Sequence, residues 1–256
     1  NSNFVRGMQK VQSSVKDASK RMSDEGVKME SVMSKLSQAA AGMGAAFSVK
    51  ESVSQIVKVR GEYQGLEVAF KTMLQSEEEA VKLMDQLTRT AATTPFGLNE
   101  VANGAKQLLA YGKSASEVND TLIKLGDIAA GLSIPLSDLI YLYGTTMTQG
   151  RLYTQDLNQF TGRGIPMIKE LAKQFGVAES KVKELVEQGK VGFPEVEKVI
   201  DSLTAKGSMF GGLMADKSKT IAGQISNLQD SIEMMFNELG KSQEGLISDS
   251  LNVIGK

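Results

Sequence analysis

The 256-residue chain contains no histidine, no cysteine and no tryptophan. Without an imidazole base, Ser-His-Asp and Cys-His nucleophilic sites are excluded. Zinc held by Cys or His, and any disulfide framework, are excluded with them. Carboxylates, lysines, tyrosines and hydroxyls are what remains for chemistry, and no cofactor or metal is expected. The formal net charge is only −1, so no global field draws the chain to nucleic acid or to anionic lipid. Long apolar runs are missing as well. The longest nearly apolar stretch, Ala39 to Phe47, falls well short of the roughly 20 residues a membrane-spanning helix needs. No charged-then-apolar leader is present. The chain opens on Asn1-Ser2-Asn3 and stops in mid-pattern at Gly255-Lys256, and it reads as an excised piece of a longer protein.

What is there is helical periodicity over a composition 41% hydrophobic, enough for one sizeable core. In residues 1–50 a 4-3 spacing runs through Phe4, Met8, Val11, Val15, Ala18, Met22, Glu25, Met29, Val32, Leu36, Ala39, Met43 and Ala46. A seam that narrow, repeating every seven residues, predicts a coiled-coil-like helical arm. Its Met, Ala and Val are modest seam residues, so the expected pairing is weak or partner-dependent. Gly42 and Gly44 suggest a joint between arm and body. The arm is basic, with eight Lys/Arg against four Asp/Glu, but Phe4 and Phe47 are its only aromatics. A solvated helix face explains it better than a base-stacking surface.

From about residue 51 the apolar positions widen into stripes suited to a globular core. Ser76 and Glu79 form a capping box before Ala80. Leu98, Val101, Ala102, Ala105, Leu108 and Leu109 make one face, stopped at Gly112. Val118, Leu122, Leu125, Ala129 and Leu132 make another, with Ser114 or Ser116 as its cap. Further helices are expected near 135–148, 155–161, 166–175, 179–188 and 194–206. Pro95, Pro135, Pro166 and Pro194 each stand just ahead of a helical pattern, where a missing N–H costs nothing. Residues 207–215, rich in Gly and Met, read as a mobile connector. A second seam follows it through Ile221, Ile225, Leu228, Ile232, Met235 and Leu239. The predicted fold is therefore all-α: an arm at 1–50, a compact multi-helix body at 51–215, and a heptad-bearing C-terminal segment at 216–256. The seamed helices could pair with each other or with copies of themselves, or lead into a further part of the protein.

Motifs with chemical overtones mostly have plainer explanations. Glu77-Glu78-Glu79 falls in a first helical turn, where the macrodipole favours negative charge. Gly162-Arg163-Gly164 reads as a turn; the other possibility is an anion or partner carboxylate held by Arg163. Tyr141, Tyr143, Tyr153 and Phe160 crowd four aromatics into twenty residues. They suggest either a core cluster or a protein-binding patch, to which Arg151 and Arg163 would belong.

The segment from Gln149 to Pro166, QGRLYTQDLNQFTGRGIP, is the most diagnostic stretch. With Thr94-Pro95-Phe96, Leu125 to Gly131 (LGDIAAG), Gly189 to Phe193 (GKVGF) and Gly223 to Asp230 (GQISNLQD), it resembles the N-terminal domain of phage and prophage tail tape measure proteins. The resemblance covers about residues 55–240. It implies a structural role in tail assembly and tail-length determination, inside the tail tube of the virion and, during assembly, in the host bacterial cytoplasm. The implied partners are the tail tube protein, tail assembly chaperones and tail-end proteins. Two other readings stand beside it: a helical coiled-coil adaptor, and a cell-wall hydrolase acting through carboxylates.

Overall fold

A computed structural model describes residues 49–242, and the N-terminal arm with its seam lies outside them. The described residues form eleven α-helices and no strand. In chain order these are α1 (Val49–Leu74), α2 (Glu77–Ala92), α3 (Leu98–Ala110), α4 (Ala115–Leu132), α5 (Leu136–Gln149), α6 (Thr154–Gly162) and α7 (Met167–Phe175). A 3-10 turn at Glu179–Lys181 then leads into α8 (Val182–Glu187), α9 (Phe193–Thr204), α10 (Leu213–Ser218) and α11 (Ile221–Ser242). The all-α expectation holds, and the predicted helices fall within a few residues of the observed ones.

Local signals set many of the helix ends. The Ser76 hydroxyl accepts the Glu79 N–H at 3.3 Å and starts α2. Pro135 and Pro166 stand at the N-caps of α5 and α7, and Pro194 lies in the first turn of α9, where a proline breaks no intrahelical bond. Ser114 is the N-cap of α4, yet its hydroxyl bonds the Glu117 side chain and leaves the backbone N–H groups uncapped.

Helix α4 is the hub. It packs against α2, α3, α5, α9 and α10. Val118, Leu122, Leu125, Ile128, Ala129 and Ala130 are all buried, so it is apolar around most of its circumference, as a helix enclosed by others must be. Helices α1, α2 and α11 gather in one group, α6 to α9 in another, and a single hydrophobic core runs through both, from Ile56 to Phe236.

The segment expected to be a mobile connector is docked instead. Phe210 and Met214 are buried, and the Phe210 N–H bonds the Leu203 carbonyl at 2.9 Å. Asp127 of α4 secures the start of α10: its carboxylate oxygens accept the Gly212 and Met214 N–H groups, each at 2.9 Å. Here the apolar Phe210 and Met214 outweigh the flexibility that three glycines lend the stretch. The boundary drawn at residue 215 thus falls inside α10, and α11 lies against α1, α2 and α10. On α11, Met235 and Phe236 enter the core, and Arg60 of α1 donates to the Asn237 side chain at 3.2 Å.

Candidate protein-contact site

The chain leaves α5 at Gly150, whose φ of 70° closes the helix in the left-handed region. It then runs alongside the start of α9. The Leu152 N–H donates to the Val191 carbonyl at 2.9 Å, and the Phe193 N–H to the Gly150 carbonyl at 3.0 Å. This short ladder, with its bridge between Arg151 and Gly192, joins the QGRL segment to GKVGF. Leu152 goes inward, fully buried, between a half-buried Arg151 and an exposed Tyr153. The Arg151 guanidinium lies over the Tyr153 ring, 4.2 Å from its centroid. Tyr153 itself is 44% exposed, while Arg151 is half-buried: its Nε is shielded from solvent and its guanidinium lies against Gly189.

The aromatics divide between core and surface. Phe160 is fully buried and Tyr143 is 2% exposed. Tyr143 meets Phe193 edge to face at 5.1 Å, and its hydroxyl donates to Glu197 at 2.7 Å. Lys113 bonds the same Glu197 oxygen at 2.7 Å. Burial would raise the Glu197 carboxyl, but the bonds from Lys113 and Tyr143 prevail and hold it below the usual carboxylate range. Burial, reinforced by the Glu197 charge, pushes the Tyr143 hydroxyl far above the usual phenol range. Tyr143 and Phe160 are therefore core residues. Tyr141, two residues from Tyr143 on α5, is 56% exposed.

The turn at Gly162-Arg163-Gly164 closes α6. The Arg163 and Ile165 N–H groups bond the Phe160 carbonyl at 3.2 and 3.1 Å, and the Gly164 N–H bonds Thr161 at 2.9 Å. These amides are spent on the helix end and form no anion cradle. The Arg163 guanidinium also stays within the chain, 3.6 Å from Asp138 and 3.3 Å from the Gln159 carbonyl. Asp138 and Tyr141 lie three residues apart on α5 and share a face. Tyr141, the Asp138–Arg163 pair and Arg151 with Tyr153 are thus the candidate residues whose side chains are at least partly exposed.

The remaining motif segments meet elsewhere, around α10. A side chain at Gly126 would strike the Met214 sulfur at 2.3 Å and touch the Phe96 ring at 3.4 Å. One at Gly131 would strike Phe210 at 2.6 Å. The two glycines and Asp127 of LGDIAAG thus form the dock on which Phe96, Phe210 and Met214 rest. At Gly223, α11 comes so close to α10 that an added methyl would sit 2.3 Å from the Lys217 carbonyl oxygen. Asp127, Lys113 and Glu197 were not singled out by charge or spacing. Asp127 was signalled only by its place between apolar residues in the middle of a helix.

A family model for tape measure proteins spans residues 54–241, the described helical body almost in full. The chain belongs to the tape measure protein family. No curated protein and no solved structure matches it. As a tape measure protein it has a structural role in the phage tail, and its virion location follows at that level. Among the described residues of this tape measure domain, no group of acidic side chains could hold a metal ion, and no helix is long and apolar enough to cross a membrane.

Proposed function

We propose that this tape measure domain organises one end of the ruler inside the tail tube, with tail length set by the chain's helical extent. It does so by presenting the Tyr141, Arg151–Tyr153 and Asp138–Arg163 surface to a tail protein. The tail tube protein, an assembly chaperone or a tail-end protein is the partner, met in the host cytoplasm as the tail is built. The observation that carries this reading is the exposure of Tyr141 and of Tyr153, the latter stacked on Arg151, in a chain of the tape measure family. Tyrosine and arginine are among the residue types that dominate protein interfaces, and here two exposed tyrosines stand with two half-buried arginines. Tyr143 and Phe160, the other two aromatics of the cluster, are packed in the core. The heptad helices leave room for self-association as well.

The test is a triple variant, Tyr141→Ala, Tyr153→Ala and Arg163→Ala, introduced into the parent gene and compared with wild type by electron microscopy of the tails. Few or malformed tails are expected, while the isolated domain keeps its helical circular dichroism and its melting temperature to within a few degrees. Normal tails from the triple variant would remove the surface from the assembly role.

A further inference from the structure

Helix α11 carries two buried oxygens that have no hydrogen-bond donor: Asn227 Oδ1 and Asp230 Oδ2. They sit one turn apart on the same helix face. Asp230 is only 7% exposed and lies against Gly97 at the start of α3. An ionised carboxylate there loses its hydration without gaining a cation, a costly state. Its surroundings deepen the cost. The Leu98 N–H favours the charge, and among the described residues the other group acting on Asp230 is the like-charged Glu233. Glu233 is in turn opposed by Glu62 of α1 and relieved by Lys58, while Tyr63 of α1 stands close to Asp230, Glu233 and Glu238. From α3, Asn99 reaches Glu62 at 3.5 Å. No charged group of α2 or α10 is seen to act on Asp230.

We propose that docking of α11 onto the body is coupled to uptake of a proton by Asp230, which makes this helix a pH-sensitive latch. The proton removes the buried charge and supplies a donor where two oxygens lack one. Burial foremost, and Glu233 next, raise the Asp230 carboxyl to about 7. The sign follows directly. A folded value above the unfolded one means that the docked state binds the extra proton between about pH 4 and pH 7. Docking is therefore strongest on the acid side and weakens as pH rises through that window. Glu233, itself raised by burial and by Glu62, adds to the same trend. The contacts of Arg60 with Asn237 and of Gly223 against Lys217 involve no group that titrates there. They hold the helix in register while Asp230 sets the strength of the latch.

Carbon-13 titration of the Asp230 carboxyl in the wild-type domain tests the proton directly, and native-state hydrogen exchange tests the latch. The expected midpoint is near neutrality. Exchange protection of α11 amides around Met235, corrected for intrinsic rates, should fall at least roughly tenfold between pH 5 and pH 8, since each pKa unit separating docked and undocked states is a factor of ten. Amides of α4 around Leu125 should hold their protection over that range. Asp230→Asn should remove most of the pH dependence, leaving the smaller part that belongs to Glu233, and Glu233→Gln should move the Asp230 midpoint downward. An Asp230 midpoint near the ordinary value of about 4, or α11 protection with the same pH profile in Asp230→Asn as in wild type, would overturn the proposal.

Discussion

At the scale of single residues, the substitution with the clearest expected sign is Gly223→Ala. In an exposed helix interior, replacing Gly by Ala gains about 1 kcal/mol. At Gly223 the added methyl would meet backbone, the Lys217 carbonyl oxygen at 2.3 Å and the Ser218 Cα at 2.6 Å, and backbone cannot rotate away as a side chain can. Overpacking of this kind costs about 1–3 kcal/mol, so the variant should be the less stable one. Urea unfolding of the two proteins decides it; a more stable Gly223→Ala would mean that α10 and α11 are not so closely apposed. The same scale shows why the aromatic cluster divided. Tyr141 and Tyr143 are two residues apart on one helix, and two residues turn a side chain by about 200°. One therefore faces solvent and the other meets Phe193 and Glu197.

Among the elements, α10 is the most instructive, because six residues cannot form a stable helix unaided. What holds it is imported. Asp127, on the neighbouring helix α4, satisfies two of its initial N–H groups, and Met214 lies over Gly126. Asp127→Ala is therefore expected to cost about 2–4 kcal/mol, from lost charge-assisted bonds and two stranded amides. Asp127→Asn, which keeps an acceptor, should recover a large part of this. Thermal denaturation followed by near-ultraviolet circular dichroism gives the comparison, and a loss below about 0.5 kcal/mol for the alanine variant would show that apolar packing alone fixes α10. The latch on α11 belongs to this scale too, since it works on one helix while the hub stays in place.

For the whole molecule, the continuous core from Ile56 to Phe236 joins every group of helices, and the tape measure match covers the same span. Length measurement by such a protein has a simple physical basis: a helix converts residue number into distance at about 1.5 Å per residue. An in-frame deletion of Met8–Lys35 from the parent gene removes four seven-residue repeats and preserves the seam. Tails shortened by roughly 40 Å in electron micrographs are the expected outcome for an arm that belongs to the ruler. Tails of normal length would make the arm an anchor or linker.

The helices and their ends were legible in the sequence because their causes are local. Ser76 caps α2 with an amide three residues away, and the prolines fix the dihedrals of their own positions. The all-α class and the family resemblance rest on the same short-range patterns. Tertiary structure decided the rest. Periodicity shows that a face is apolar without naming its neighbour, so the docking of Phe210 and Met214 on α4 was hidden behind a glycine-rich composition. Asp127 acts on residues more than eighty positions along the chain, and Tyr143 meets Glu197 across fifty-four. The sequence by itself determined that this chain is a helical tape measure domain, since helix formation and capping depend on residues within a few positions of one another. Which motif residues face outward, and which carboxylate is buried against a neighbour, was settled only by packing, because desolvation and contact depend on groups that the chain brings together from far apart.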